Sequence, residues 1–182
     1  MNDFQKVRLR DLTLNDVEDR YQWCLDKDVT KYLNVSEKYP PFSREETLKW
    51  IQMCINRTNG YEQKAIETED GKHIGWIDLK NIDKHNRNAE IGIAIGDKNY
   101  WGKGYGLSAM RDMLIWGFNE LELNKIWLRV DIDNIKAIKS YKSIGFVEEG
   151  VLRQDRHRNG GYIDRLRMSI LKGEFFNSHE RT

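Results

Sequence analysis

Apolar residues along this chain change period several times, and each change marks an element. Val7-Arg8-Leu9-Arg10 alternates apolar and polar, the period of a half-buried strand. Leu14, Val17, Tyr21 and Leu25 then recur at helical spacing. Pro40 and Pro41 interrupt the chain, and Ser43 with Glu46 forms a capping box for a helix running to about Asn56, with Leu48, Ile51 and Ile55 expected inward. Tyr61 to Thr68 and Ile74 to Ile82 read as strands joined by a turn at Glu69-Asp70-Gly71-Lys72. Ala89 to Ile95 is a further strand. A helix follows with Leu107, Met110, Leu114, Phe118 and Leu121 on one face. Ile126 to Val130 is a strand, Asn134 caps a short helix ending near Ile144, and Gly145 stops it. Phe146 to Leu152 and Tyr162 to Leu171 are the last strands, turned by Gly160 and Gly161 after Asn159.

This order predicts an α/β (α+β) fold, a mixed central sheet of about seven strands flanked by about four helices. The strand–helix–strand passage from Ala89 to Val130 implies a parallel pair within it. The 182 residues suit one domain over 1–182, with no repeat or linker to divide them.

Between the strand at Ala89 and the following helix stands Tyr100-Trp101-Gly102-Lys103-Gly104-Tyr105-Gly106. Glycines at alternate positions before a helix start let the backbone approach a ligand closely, with several N–H groups aimed one way at the positive end of the helix dipole. That is the chemistry of a pyrophosphate cradle. A magnesium-nucleotide loop would need Ser or Thr after Gly-Lys, whereas Gly104 follows Lys103. A dinucleotide fingerprint would need G-x-G-x-x-G, and the spacing is G-x-G-x-G.

Composition narrows the setting. Thirty basic against twenty-nine acidic residues argue against a general nucleic-acid binder. No apolar run suggests a membrane span, and Met1 to Lys6 carries no apolar signal-like segment, so a cytoplasmic location is expected. Cys24 and Cys54 read as ordinary buried thiols. His73, His85, His157 and His179 are scattered without ligand spacing, so no metal site is expected.

Four segments together resemble the GCN5-related N-acetyltransferase (GNAT) superfamily, in the branch of ribosomal-protein-alanine and spermidine N-acetyltransferases. Ala89-Glu90-Ile91-Gly92 is similar to that family's central strand, and Trp101 to Gly106 to its R/Q-x-x-G-x-G/A loop. Asn134 to Ala137, Tyr141 and Gly145-Phe146 resemble the N-x-x-A…Y…G-F segment, and Asn159 to Met168 the final hairpin. Trp101 departs from the pattern, standing where the family usually has Gln or Arg.

The resemblance implies acetyl-CoA as cosubstrate and an amine acceptor: a peptide N-terminus, a polyamine or another small amine. It implies cofactor contacts at Ile93, Ala94, Ile95, Trp101, Gly102, Lys103, Gly104, Tyr105, Gly106 and Asn134, and places pantetheine beside the central strand. On that strand Ala89, Ile91, Ile93 and Ile95 share the core face, and Glu90, Gly92, Ala94 and Gly96 the other. The small residues fit either close helix packing or a slot for a ligand arm. Glu90 is a base that deprotonates the amine through water, a surface strand residue, or a salt-bridge partner of Arg87. Tyr141 is either a core aromatic or, by the resemblance, the general acid for the departing thiolate. Asn134 is a helix cap that can also contact the cofactor. Lys98 and Lys103 are solvated charges or phosphate contacts.

The resemblance builds the acceptor side from the first two helices, the loop from Tyr32 to Phe42 and the last hairpin. Asp26, Asp28, Glu37, Glu45 and Glu46 there can hold a cationic amine or solvate helix ends. The basic hairpin, with Arg153, Arg156, Arg158, Arg165 and Arg167, faces solvent, an anionic acceptor or a partner subunit, which leaves a homodimer open. Two readings of another class stand beside the enzyme. One is a catalytically silent acyl-CoA-binding sensor. The other is a ribosome- or RNA-associated protein, against which the near-neutral charge counts.

Overall fold

The structure is a computed structural model and describes residues 6–58 and 60–179. Met1 to Gln5, read above for a leader, lie outside the described residues, as do the side chains of Ser178 and His179. The strands are β1 (Val7–Asp11), β2 (Glu62–Thr68), β3 (His73–Asp83), β4 (Asn88–Ile95), β5 (Lys125–Asp131), β6 (Val147–Arg158) and β7 (Gly161–Leu171). The helices are α1 (Asp16–Leu25), α2 (Lys27–Thr30), α3 (Arg44–Ile55), α4 (Tyr105–Asn119), α5 (Ile135–Ile144) and α6 (Lys172–His179), with a single 3-10 turn at Lys98–Tyr100. The strands form one seven-stranded sheet in the order β1-β2-β3-β4-β5-β7-β6. The expected parallel pair is β4 with β5, registered Asn88 on Lys125 through Glu90 on Trp127.

The chain forms two compact units. One runs to Lys80 and resumes over Gly92–Met113; the other comprises Asn81–Ile91 and the chain from Leu114 onward.

In the first unit, α1 begins two residues later than the periodicity suggests. Asp16 is the reason: its carboxylate accepts from Arg10 Nη1 and Nη2 at 2.8 and 2.7 Å and from the Thr13 N–H at 2.8 Å. Leu14 therefore lies before the helix and is 54% exposed, not inward as expected. Val17, Ile51 and Cys54 pack with Leu12 and Ala65, and Leu48 and Trp50 lie against them. Ile55, also expected inward, falls in the last turn of α3 and is 41% exposed. The capping box at Ser43 and Glu46 is present in both directions. Both cysteines are buried, and neither forms a disulfide among the described residues.

A second cluster joins Cys24, Trp76 and Ala94, with Trp23, Leu33 and Phe42 against it. Gly96, at the end of β4, lies directly under Trp23: a Cβ there would be 2.1 Å from the ring atom Cδ2. Gly96→Ala should therefore cost about 1–3 kcal/mol by overpacking. Urea unfolding checks it, and a stability within error of wild type would show that Trp23 moves aside freely.

In the second unit, Ile126, Leu128, Leu166, Met168 and Ile170 are buried, as are Leu114, Phe118 and Ile144. Two differences from the sequence reading stand out here. β6 extends to Arg158 because Asn159 and Gly160, at φ 53° and 77°, make the turn themselves, and Gly161 already belongs to β7. And the chain ends in α6, whose Phe175 is buried against Phe118, with ring centroids 5.7 Å apart. Gly and Asn in and after its short pattern hid that helix from a periodicity argument.

Candidate active site

The cradle residues belong to the first unit. Gly102 and Gly104 have φ of 72° and 89°, the left-handed region that side chains avoid. The Ser108 N–H donates to the Gly104 carbonyl at 3.1 Å, so Gly104 is the N-cap of α4. The N–H groups of Tyr105, Gly106 and Leu107 thus have no partner within the helix, as at any helix start. Gly106 differs from the other two: a Cβ there would sit 3.7 Å from Ile95 Cγ1 and 4.0 Å from Ile93 Cδ1, ordinary contact. Only two of the three glycines are demanded by backbone conformation.

Trp101 straps the loop. Its indole Nε1–H donates to the Ile95 carbonyl at 2.7 Å, while its ring stays 43% exposed. Lys98 is not a free phosphate ligand. Its ammonium lies 2.7 Å from Asp26 and 3.0 Å from Asp28, and these hydrogen bonds, that to Asp26 foremost, hold it protonated above the usual lysine range. Lys103 is exposed and has no ion pair among the described residues.

On β4, Ala89 and Ile91 are buried as expected, but Ile93 and Ile95 are half-buried, because their side chains lie against Gly106 at the start of α4. The opposite face, read as packing or as a slot, is packed from Gly92 to Gly96. Trp23 covers Gly96, Ala94 is in the Trp76 cluster, and a Cβ on Gly92 would meet the Asp78 carboxylate at 3.2 Å. Gly96 and Asp97 both donate to the Ile74 carbonyl, at 2.8 and 3.1 Å.

Glu90, Asn134 and Tyr141 belong to the second unit. Asn134 caps α5 with its side-chain oxygen accepting from the Ala137 N–H at 3.4 Å, and Gly145 ends the helix at φ 113°. Tyr141 is half-buried, its ring 6.0 Å from that of Phe146. Burial pushes its phenol up to about 12, so it is a neutral proton donor at any physiological pH. Glu90 is 4% exposed, and the salt bridge that was one of its alternatives exists, with Arg129 rather than Arg87. Arg129 Nε and Nη2 reach its two oxygens at 3.1 Å each, and Asn81 Nδ2 donates to Oε2 at 2.8 Å.

Four of the five hairpin arginines are also committed internally; Arg153 is exposed. Arg156 and Arg158 bind Asp131 at 2.6 and 2.8 Å, Arg158 also binds Asp133, Arg165 binds Asp155, and Arg167 binds Glu149. Burial pushes the Asp131 carboxyl up, partly offset by Arg156 and Arg158. The hairpin therefore carries less free basic charge than its composition suggests. The sequence reading missed Arg129, Asn81 and the Lys98 tether. Arg129 was within reach: it alternates with Trp127 on the polar face of β5. Among the described residues, no group of three His, Cys, Asp or Glu side chains can hold a metal ion.

A mixed sheet with a parallel β4–β5 pair, a positive-φ glycine loop opening α4, and a capped α5 carrying a half-buried phenol are the features set against known proteins. The sequence profile of the acetyltransferase (GNAT) domain matches residues 6–147. The chain is 31% identical over 171 residues to the uncharacterized N-acetyltransferase p20 of Bacillus licheniformis, spanning 94% of this chain and 96% of that one. It is 35% identical over 140 residues to spermidine N(1)-acetyltransferase of Vibrio cholerae, 77% and 80% of the two chains. It also superposes on the crystal structure of the Vibrio cholerae spermidine N-acetyltransferase in complex with CoA and spermine, with a TM-score of 0.84, 30% identity, and 94% and 98% of the chains covered. The chain belongs to the GNAT family. It is an acetyl-CoA-dependent N-acetyltransferase that acetylates an amine.

Proposed function

We propose that the acceptor is an aliphatic polyamine and that the residues described above perform the transfer. The observation that carries the choice of acceptor is the near full-length likeness to the enzyme solved with CoA and spermine. The charge arrangement supports it. Asp26 and Asp28 hold Lys98, Glu45 holds Lys49 and Glu46 lies 3.6 Å from Lys38, so these carboxylates already bind alkylammonium groups in exposed pairs. Solvent screens such exposed pairs, so a polyamine ammonium can displace a lysine readily.

Acetyl-CoA supplies the thioester; the chain holds it and moves protons around it. The two positive-φ glycines and the open first-turn N–H groups of α4 suit its diphosphate, with Trp101 fixing the loop and Lys103 adding a charge. Main-chain groups of Ile93, Ala94 and Ile95 take the pantetheine and polarise the reacting carbonyl. The Asn134 amide adds a contact from the cap of α5. Tyr141 gives its phenolic proton to the departing thiolate.

We further propose that residues 1–182 act as one domain, since the family match alone runs through both compact units. A cytoplasmic location is supported by two buried cysteines that form no disulfide among the described residues. A homodimer is supported by the exposed Val147, Val151 and Tyr162 of the hairpin.

An acceptor panel reading free CoA thiol tests the acceptor. Spermine and spermidine are expected to exceed an alanyl or seryl peptide N-terminus, and free amino acids, by at least tenfold in kcat/KM. Preference for the peptide would overturn the polyamine reading and favour a role like that of the putative ribosomal N-acetyltransferase YdaF of Bacillus subtilis, 40% identical over 117 residues, 64% of this chain and 62% of that one.

A further inference from the structure

Glu90 is the one buried carboxylate on β4, and both its oxygens are already acceptors. Arg129 Nε–H is on Oε1, Arg129 Nη2–H is on Oε2, and Asn81 Nδ2–H is also on Oε2. The clamp sits at the last registered pair of the parallel ladder, Glu90 on Trp127. It is braced from behind: Arg129 Nη1 lies 3.7 Å from Asp155 on β6, and Arg165 Nε on β7 donates to the same Asp155 oxygen at 2.6 Å. Asn81 reaches Glu90 from a left-handed backbone conformation, φ 51°, which asparagine tolerates better than most residues. Four strands thus contribute side chains to hold one carboxylate.

A general base must offer a lone pair to an ammonium proton and must be stable once protonated. Three donors, two of them from a guanidinium, already occupy most of the acceptor positions that the Glu90 carboxylate offers. We propose that Arg129 is a positioning residue which, acting through Glu90, ties β4 to β5 and takes this carboxylate out of proton transfer, so that the acceptor amine loses its proton to water. The balance is simple. The ammonium gives a proton to water, the neutral amine forms the C–N bond as the C–S bond breaks, the nitrogen sheds its second proton to water, and the thiolate takes one from Tyr141, which regains it from water.

The proposal rests on the acetyltransferase reading, and turnover by the wild type with any amine tests that reading separately. The decisive measurement is the pH profile of kcat/KM from pH 5 to 9, with thermal melting as a check on folding, for wild type, Glu90→Gln, Arg129→Met and the double variant. Wild type and Glu90→Gln are expected to give parallel profiles, each climbing about tenfold per pH unit with free amine and offset by a constant factor. Arg129→Met frees the carboxylate, so a second acid limb, steeper than the tenfold climb of the free amine alone, is expected in that variant and its loss in the double variant. If Arg129→Met fails to fold, Arg129→Lys, which keeps the charge but not the fork, is expected to show the same limb. A charge exchange, Glu90→Arg with Arg129→Glu, should recover activity lost in either single change. A wild-type climb steeper than tenfold per pH unit that falls back to tenfold in Glu90→Gln, or a wild-type profile in a folded Arg129 variant, would overturn the proposal.

Discussion

Tyr141→Phe should lower turnover about 100-fold while leaving acetyl-CoA affinity nearly unchanged. The substitution keeps the ring that packs 6.0 Å from Phe146 and removes only the hydroxyl, which no described residue engages. Melting temperature is therefore expected to hold. The phenol is pushed up to about 12 by burial, so it stays protonated across any practical assay range. The ratio of wild-type to variant rates should accordingly be flat from pH 6 to 9. Stability follows the same sign: a folded value raised above the usual 10 makes the contribution of this group complete below about pH 10, and it is lost as pH rises toward 12. Steady-state kinetics with spermine, together with calorimetric binding of acetyl-CoA, checks the assignment. Wild-type turnover in the phenylalanine variant would return Tyr141 to a packing role. A rate ratio that shrinks between pH 8 and 9 would mean that the phenol ionises far lower than its burial implies.

Local signals were strong where one residue type serves one geometry. The Ser43–Glu46 box, the Asn134 cap, the Gly145 stop and the parallel β4–β5 pair are all where periodicity and capping chemistry put them. Signals failed where a long-range partner decided the outcome. Leu14 satisfied a helical stripe, yet Arg10 and Thr13 fixed Asp16 and started the helix beyond it. Gly92, Ala94 and Gly96 could be read as a slot because nothing in β4 itself names Trp23 or Asp78 as their neighbours. Glu90 was ambiguous for the same reason. Its partner Arg129 is 39 residues away, and only the register of β4 on β5 brings the two together. The basic hairpin shows the converse: five arginines in one stretch suggest a charged surface, while four of them are neutralised by acids brought in from β5 and by acids on the hairpin itself.

Gly104→Val should weaken acetyl-CoA binding at least tenfold, about 1.4 kcal/mol. Backbone conformation decides the effect before side-chain space does. Gly104 has φ of 89°, and a β-branched residue at positive φ is a true outlier that the chain relieves by shifting its backbone. Gly104 is also the N-cap of α4, its carbonyl accepting from the Ser108 N–H, so a shift there turns the first-turn N–H groups away from a diphosphate. Gly106→Ala is the matched control. That position lies in the first turn of the helix, the new methyl would meet Ile95 and Ile93 at ordinary contact distance, and replacing a helical glycine by alanine stabilises by up to about 1 kcal/mol. The alanine variant is expected to bind acetyl-CoA like wild type and to melt at the same temperature or higher. Calorimetry on both variants, run well below their melting temperatures, separates loss of the cradle from loss of the fold. Equal affinity in a folded Gly104→Val protein would remove the glycine loop from the binding site. Equal losses in both variants would show that the loop needs glycine for clearance from the ligand rather than for its backbone angles.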